Sequence, residues 1–270
     1  MARLIRSLAE AEVETLLSWA AREGWNPGLT DARAFYAVDP DGFIGAFVDG
    51  QMVAAISAAA YDADFGFIGL YICHQDWRGQ GHGKAAWDAG MAHLGNRTIG
   101  LDGVPEQQAN YASMGFVAAY ETVRMTGSVP TAPLRVAQAT VPAVKALDRQ
   151  CFPASREAFL SRWVAPPNQG LMLGEDRLSR GYGVIRKCIE HHKVGPLFAC
   201  DPAAATLLLQ NLAAGSGLVQ IDVPASQTTF LALLHGWGFT PGFRTSRMYR
   251  GPVPALALNQ VFGITSLEFG

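Results

Sequence analysis

The sequence predicts an α/β protein with a mixed (α+β) sheet, built as two tandem copies of one unit. Three observations predict it. Apolar residues alternate along the chain between helical spacing and short strand-like runs. A break rich in Gly, Pro and small polar residues, TGSVPTAPLRV at 126–136, falls near the middle. Segments on its two sides match in register. GFVAAYETVRM (115–125) and GFTPGFRTSRM (238–248) share Gly, Phe, Thr, Arg and Met at the same offsets, with Tyr120 and Phe243 at one aromatic place. IGLYIC (68–73) corresponds to VGPLFAC (194–200) as a buried strand, and LDGVP (101–105) to IDVP (221–224), in the same order. The expected domains are 1–128 and 129–270.

In the first copy, AEVETLLSWAAREG carries apolar residues at helical spacing and stops at Gly24. GFIGAFVDGQMVAAISAAAYD reads as two strands around the hairpin signal Asp49-Gly50. GFIGLYIC is the next strand and HGKAAWDAGMAHL a helix. TIGLDGV is a strand, PEQQANYASM a short helix, and GFVAAYETVRMTG a strand or hairpin.

The 270 residues are enough for one large domain or two ordinary ones, and 49% of them are hydrophobic, enough for a sizeable core. The formal net charge of −2 lacks the basic excess that a phosphate backbone demands, so nucleic acid is not an expected partner. Glu10, Glu12 and Glu14 interrupt the first apolar stretch, which argues against a signal peptide, and no apolar run is long enough to span a bilayer. A cytoplasmic protein, monomer or homodimer, is expected. Cys73, Cys151, Cys188 and Cys200 form no CxxC pair and read as reduced core residues. The six histidines form no ligand set, and adjacent His191 and His192 would point apart on a strand, so no metal site is expected.

The stretch DWRGQGHGKAAW (76–87) places Gly79, Gly81 and Gly83 at alternate positions between a strand and a helix. Glycines there let backbone N–H groups turn inward and a ligand approach closely. The first N–H groups of the following helix are unpaired and carry the positive end of its dipole. Together they suit a diphosphate, with Arg78 and Lys84 adding positive charge at the rim. A tight glycine turn without a ligand is the plain alternative. A Walker loop wants Ser or Thr after Gly83-Lys84, and Ala85 stands there. The dinucleotide fingerprint G-x-G-x-x-G does not fit the spacing either.

That spacing resembles the acyl-CoA loop of the GNAT N-acetyltransferase superfamily: Gln or Arg, two residues, Gly, one residue, then Gly or Ala. Arg78, Gly81 and Gly83 fill it, and YASMGF supplies the superfamily's Tyr four residues before Gly-Phe as Tyr111, Gly115 and Phe116. The second half is similar to the same fold with the loop lost, because FACDPAAATLLLQNL begins its helix at Asp201-Pro202. GWNPG, LDGVPEQQANY, GPLF and the closing VFGITSLEFG also resemble the tandem-GNAT YitH-like acetyltransferases, whose second half is a degenerate GNAT domain.

The resemblance implies an acetyl-CoA-dependent N-acetyltransferase acting on a primary amine of a small molecule by direct attack. It implies that Tyr71, Ile72 and Cys73 pair with the pantetheine arm like an added strand. It places the pyrophosphate on the backbone of residues 79 to 84, that is Gly79, Gln80, Gly81, His82, Gly83 and Lys84, beside Arg78. The thioester would then lie near the Ile72 amide, a candidate oxyanion donor. Tyr111 would protonate the departing thiolate, with Asn110 and Gln107 near the cofactor. An alkylamine is mostly protonated at neutral pH, so a base would help. Asp62 and Asp64 just before the strand, or His74 at its end, are the candidates, although a solvated turn also accounts for the two aspartates. Trp25, Asn26 and Tyr36, with Phe35, would line the acceptor side, where ordinary core and turn roles are equally open. In the second half Arg156, Tyr182 and Arg186 would reach across the interface to a carboxylate or serve as exposed ion-pair residues. Other readings remain: a non-catalytic acyl-CoA-binding sensor, an acetyltransferase of protein N-termini or lysines, and transfer of a longer acyl chain.

Overall fold

The computed structural model describes residues 3–131, 136–174 and 179–270. Residues 132–135, within the expected linker, lie outside the described residues. In the first half the strands are β1 (Arg3–Ser7), β2 (Phe43–Val48), β3 (Gln51–Ala60), β4 (Phe65–Cys73), β5 (Thr98–Gly103) and β6 (Val117–Gly127). Its helices are α1 (Glu10–Arg22), α2 (Asp31–Tyr36), α3 (His82–Leu94) and α4 (Pro105–Ser113). The second half repeats the plan with β7 (Ala137–Gln138), α5 (Val141–Cys151), α6 (Glu157–Trp163), β8 (Gln169–Leu173), β9 (Gly181–Lys187) and β10 (His192–Ala199). It continues with α7 (Pro202–Leu212), β11 (Val219–Pro224), α8 (Thr228–Gly236), β12 (Thr240–Arg250) and β13 (Val261–Gly263). The Asp49-Gly50 hairpin forms as expected, with φ of 49° and 82° at its two turn residues. The segment 115–127 is one long strand rather than a hairpin. His191 sits in the β9–β10 turn at φ 59°, so only His192 belongs to a strand.

The described strands form one mixed sheet in the order β1-β2-β3-β4-β5-β12-β6-β11-β10-β9-β8-β7, with β13 on β10. The halves therefore exchange strands. β12, from the second half, lies between β5 and β6 of the first, and β6 lies between β12 and β11 of the second. The sequence repeat explains this geometry. Thr122 and Thr245, equivalent in the repeat, face each other across the β6–β12 ladder. The repeated arginines then reach the repeated aspartates of the opposite half. Arg124 holds Asp222 through two bonds of 2.8 and 2.9 Å, and Arg247 holds Asp102 through two of 2.9 and 2.8 Å. Each pair sits at directly opposed register positions, and its side chains are buried. Bidentate geometry fits the Arg fork, and buried charges are tolerated only when paired in this way.

Helices cover both faces. α3 packs Trp87 and Leu94 over β2–β5, and α7 packs Leu208 and Leu209 over β9–β11. On the other face α1, α2, α5 and α6 share one core. Its centre is aromatic: Phe35 stacks on Phe269 at 4.4 Å, and Phe159 on Trp163 at 4.7 Å. Phe269 belongs to the last residues of the second half, so the C-terminal segment is pinned between the halves. Burial of each such ring is worth about 1.5–3 kcal/mol.

Candidate active site

The site begins where two parallel strands part. β4 pairs with β5 from Phe65 to Ile68, opposite Thr98 to Leu101, and no further. An extra residue in β4 against β3, between the pairs Gly69–Ser57 and Ile72–Ala55, makes a bulge, and Leu70 takes φ 48° there. β4 bends away and opens a cavity of about 520 Å³, within the usual range for small-molecule sites. Gly69 is fixed by close approach, because a Cβ there would lie 1.9 Å from the Glu268 carbonyl oxygen.

The edge of β4 turns backbone groups that β5 does not pair toward the opening. The His74 N–H donates to the Val53 carbonyl at 2.9 Å. Antiparallel alternation then turns the Ile72 amide toward β3 and the backbone of Tyr71 and Cys73 toward the cavity. The expected Ile72 amide is thus committed to the sheet, while Tyr71 and Cys73 offer the edge. Arg78 touches that edge: its Nε donates to the Cys73 carbonyl at 3.0 Å and its Nη2 meets Glu23 at 2.5 Å, across the cavity mouth.

The glycine loop follows. Gly79 and Gly81 have φ of 74° and 77°, which only glycine adopts without strain. A Cβ on Gly79 would meet nothing within 4 Å, and one on Gly81 only Arg3 Nη1 at 4.0 Å, so the space before the loop is open. Gly81 is the N-cap of α3, and no side chain caps the helix. Its first amides and dipole are directed at that open space. Gly83 packs close to Tyr71, whose hydroxyl would sit 3.1 Å from an added Cβ. Its N–H meets the Cys73 thiol, whose pKa burial nevertheless raises. Of the remaining loop residues, Gln80 donates to the Asp76 carbonyl, the His82 ring lies edge-on to Trp77, and Lys84 pairs with Asp88. Arg3 on β1, which no sequence motif marks, donates to the Gly81 carbonyl at 3.2 Å and adds a cation beside the loop.

α4 brings Tyr111, Asn110 and Gln107 to the cavity. Tyr111 stacks on Trp87 at 5.7 Å, and Tyr71 packs against the same indole at 5.3 Å. Burial pushes the Tyr111 phenol up to about 12, with nearby Tyr71 adding to the effect. Asn110 leans on Gln107 at 3.4 Å.

Other expected residues stand elsewhere. Asp62 and Asp64 sit in the β3–β4 turn at the far end of β4, outside the cavity lining. Asp62 there accepts from the Asp64 and Phe65 amides. His74 packs edge-on to Trp19 and lies outside the lining as well. Trp25 does line the cavity. Asn26 does not: it is tied to Glu190 through bonds of 2.7 and 2.9 Å. Tyr36 packs against Phe43 and donates to the Leu8 carbonyl, and Phe35 is core. Arg186 does reach across to a carboxylate, Asp31 at 3.2 Å, but this is the protein's own buried ion pair. Arg156 is also buried, bound to Asp148 and Thr265, and the Tyr182 hydroxyl donates to Asp148.

The second half adds Phe243, Thr245 and Glu268 to the cavity. Glu268 is 3% exposed, and neither of its carboxylate oxygens has a hydrogen-bond partner. It falls within the closing VFGITSLEFG, a stretch that carries the family resemblance but assigns this residue no role. The same half has closed its own opening. β10 pairs with β11 only over His192–Val194, yet β13 fills the space beyond, pairing with β10 and sending the Ile264 N–H to the Asp222 carbonyl. The equivalent helix, α7, is capped by Asp201, which accepts from the Ala204 amide at 2.8 Å. A carboxylate thus stands where the first half leaves its amides open.

Comparison with known proteins agrees with this anatomy. A family model described as the GNAT acetyltransferase family matches residues 10–118, and one described as an acetyltransferase (GNAT) domain matches 144–263. A holothin acyltransferase of Pseudoalteromonas sp. (strain SANK 73390) is 31% identical over 272 residues, covering 96% of this chain and 92% of that protein. The chain belongs to the GNAT acyltransferase family, with two such domains in tandem. Among solved structures, a Pyrococcus horikoshii protein assigned as an acetyltransferase superposes with a TM-score of 0.86 at 20% identity, covering 99% of this chain and 96% of that one. A tandem GNAT protein from the clavulanic acid biosynthesis pathway gives 0.63 at 16% identity, covering 93% and 100%. At these identities both show the fold. No helix among the described residues is long and apolar enough to cross a membrane.

Proposed function

We propose that this GNAT acyltransferase moves the acetyl group of acetyl-CoA to a primary amine of a small molecule by direct attack, using the first half alone for the donor. One observation carries the reading: β4 parts from β5 directly beside an uncapped glycine N-terminus. The residues present fit coenzyme A. The Tyr71 and Cys73 backbone would hold the pantetheine amides, and the amides of residues 79 to 84 the pyrophosphate. Arg3, Arg78 and Lys84 lie around that position as cations, and Asn110 lines the same cavity. Bound acetyl-CoA would supply an acyl thioester. Tyr111, a phenol protonated at neutral pH, would donate to the leaving sulfur. A free thiol has a pKa near 8.5, so this leaving group needs only modest help. Trp25 would line the acceptor side. The holothin acyltransferase supports acyl transfer, and its name does not limit the acyl group to acetyl.

The test is CoA release with spermidine, L-lysine and kanamycin as amines, comparing the wild type with Tyr111→Phe. The expected result is turnover with at least one amine, lowered about 10²-fold in the variant, with acetyl-CoA binding kept. Tight acetyl-CoA binding without turnover of any amine would favour a sensor instead.

A further inference from the structure

We infer that Glu268, delivered by the C-terminal segment of the second half, is the counter-ion and proton acceptor for the acceptor amine. The half that has closed its own donor site thereby completes the site of the other. The inference rests on the amine-acceptor reading above.

A buried carboxylate without a donor is costly, and native proteins keep few of them. Glu268 has two such oxygens. It cannot easily withdraw. Its carbonyl lies against Gly69 at the β4 bulge, and the next residue, Phe269, donates from its N–H to Ser266 Oγ at 3.0 Å and stacks on Phe35. Thr245 Oγ1, on the same cavity, is a third buried oxygen without a partner. All three are acceptors, and an alkylammonium brings three donors.

The charges around Glu268 leave this role open. The charged and titratable groups within electrostatic reach of Glu268 are Asp31 on α2, Asp102 on β5, Arg124 on β6, Arg186 on β9, Cys188 after it and Lys193 on β10. The arginines are already engaged with Asp222 and Asp31, and Arg247 takes Asp102. Lys193 donates to the Trp25 carbonyl at 3.0 Å and forms no ion pair among the described residues. Burial lowers the Lys193 pKa and the influence of Glu268 only partly offsets that, with no ion pair between the two.

Glu268 takes one proton from the ammonium. The freed lone pair attacks the thioester carbonyl carbon, a C–N bond forms, and the C–S bond breaks with its electron pair on sulfur. Tyr111 protonates the sulfur. The second nitrogen proton passes to water and restores Tyr111, and Glu268 returns its proton to solvent. One ammonium and one thioester give one amide, one thiol and one proton.

The test compares wild type with Glu268→Gln on the amine from the panel that turns over best. At pH 7 the variant is expected to lose about 10²-fold in kcat/KM for the amine, with acetyl-CoA affinity within twofold. The loss should shrink as pH approaches the amine's own pKa near 10, where neutral amine is supplied without a base. Turnover within twofold of wild type at pH 7, or the same fractional loss at pH 7 and 9.5, overturns the inference. If Glu268→Gln does not fold, Glu268→Asp carries the test: it keeps the charge one methylene further back and should lose about tenfold at pH 7, and full activity in it overturns the inference. A wild type that turns over no amine refutes the amine reading itself, a different result from a wild type matched by its variant.

Discussion

Removing Arg247 puts a number on the strand exchange. Its guanidinium crosses from β12 to Asp102 on β5 in a bidentate contact, and the two side chains are 3% and 0% exposed. It also lies over the Phe67 ring at 4.9 Å. Arg247→Met leaves Asp102 buried and unpaired. Breaking a buried pair from one side costs about 3–5 kcal/mol, most of it from the stranded charge. For a chain of this size that is a fall of about 10 °C in Tm. Adding Asp102→Leu removes the stranded charge and should recover more than half of the loss. Arg124→Met, at the equivalent place, should fall by a similar amount. Urea unfolding followed by tryptophan fluorescence measures all four proteins, and a single transition is expected because each half lends a strand to the other. A loss under about 1 kcal/mol in Arg247→Met, or a double variant no more stable than the single, would refute this reasoning.

Further outcomes concern pH, the bulge and the acid role. Burial raises Tyr111 to about 12 and also raises Tyr61, Tyr120 and Tyr182. In the unfolded chain these phenols ionise near pH 10. The unfolded state thus loses its protons first, so stability holds below pH 10 and drains away as pH rises from 10 toward 12; an unchanged urea midpoint at pH 11 would contradict this. Gly69→Ala drives a Cβ to within 1.9 Å of a backbone oxygen at Glu268, so it should cost about 1–3 kcal/mol and lower amine turnover more than acetyl-CoA affinity. An unaltered melting curve would count against that packing. Tyr111→Phe should keep its fold and its acetyl-CoA affinity while losing turnover, and equal turnover would remove the acid role.

Much of this was legible in the sequence because it is local. The glycine loop, the hairpin at Asp49-Gly50 and the Tyr111 motif each depend on neighbours within a few residues. The repeat was legible too, down to Arg124 and Arg247. The exchange of strands was not, because pairing partners such as Asp222 lie about a hundred positions from their arginines. A repeat records that two units are alike, not which aspartate each arginine meets. The base candidates Asp62 and Asp64 follow from the family resemblance and lie just before β4 in the chain, and the turn that Asp62 closes holds both at the end of β4 away from the cavity. Asn26, Tyr36 and Phe35 had the chemistry of a pocket wall and are tied into the packing instead. Glu268 lies in the closing VFGITSLEFG stretch, but that resemblance names no role for it, and only the path of the last ten residues brings it into the cavity. The plugging of the second half by β13 was equally silent, although the loss of its glycine loop and its Asp201 start were visible.

Calorimetric titration of the protein with acetyl-CoA tests the central claim most directly. One molecule should bind per chain, Gly81→Val should weaken it at least 100-fold, and Asp201→Gly, which uncaps α7, should leave it within twofold. Retained affinity in a folded Gly81→Val, or two molecules bound per chain, would contradict a single donor site built on the first half's parted strands and bare helix start.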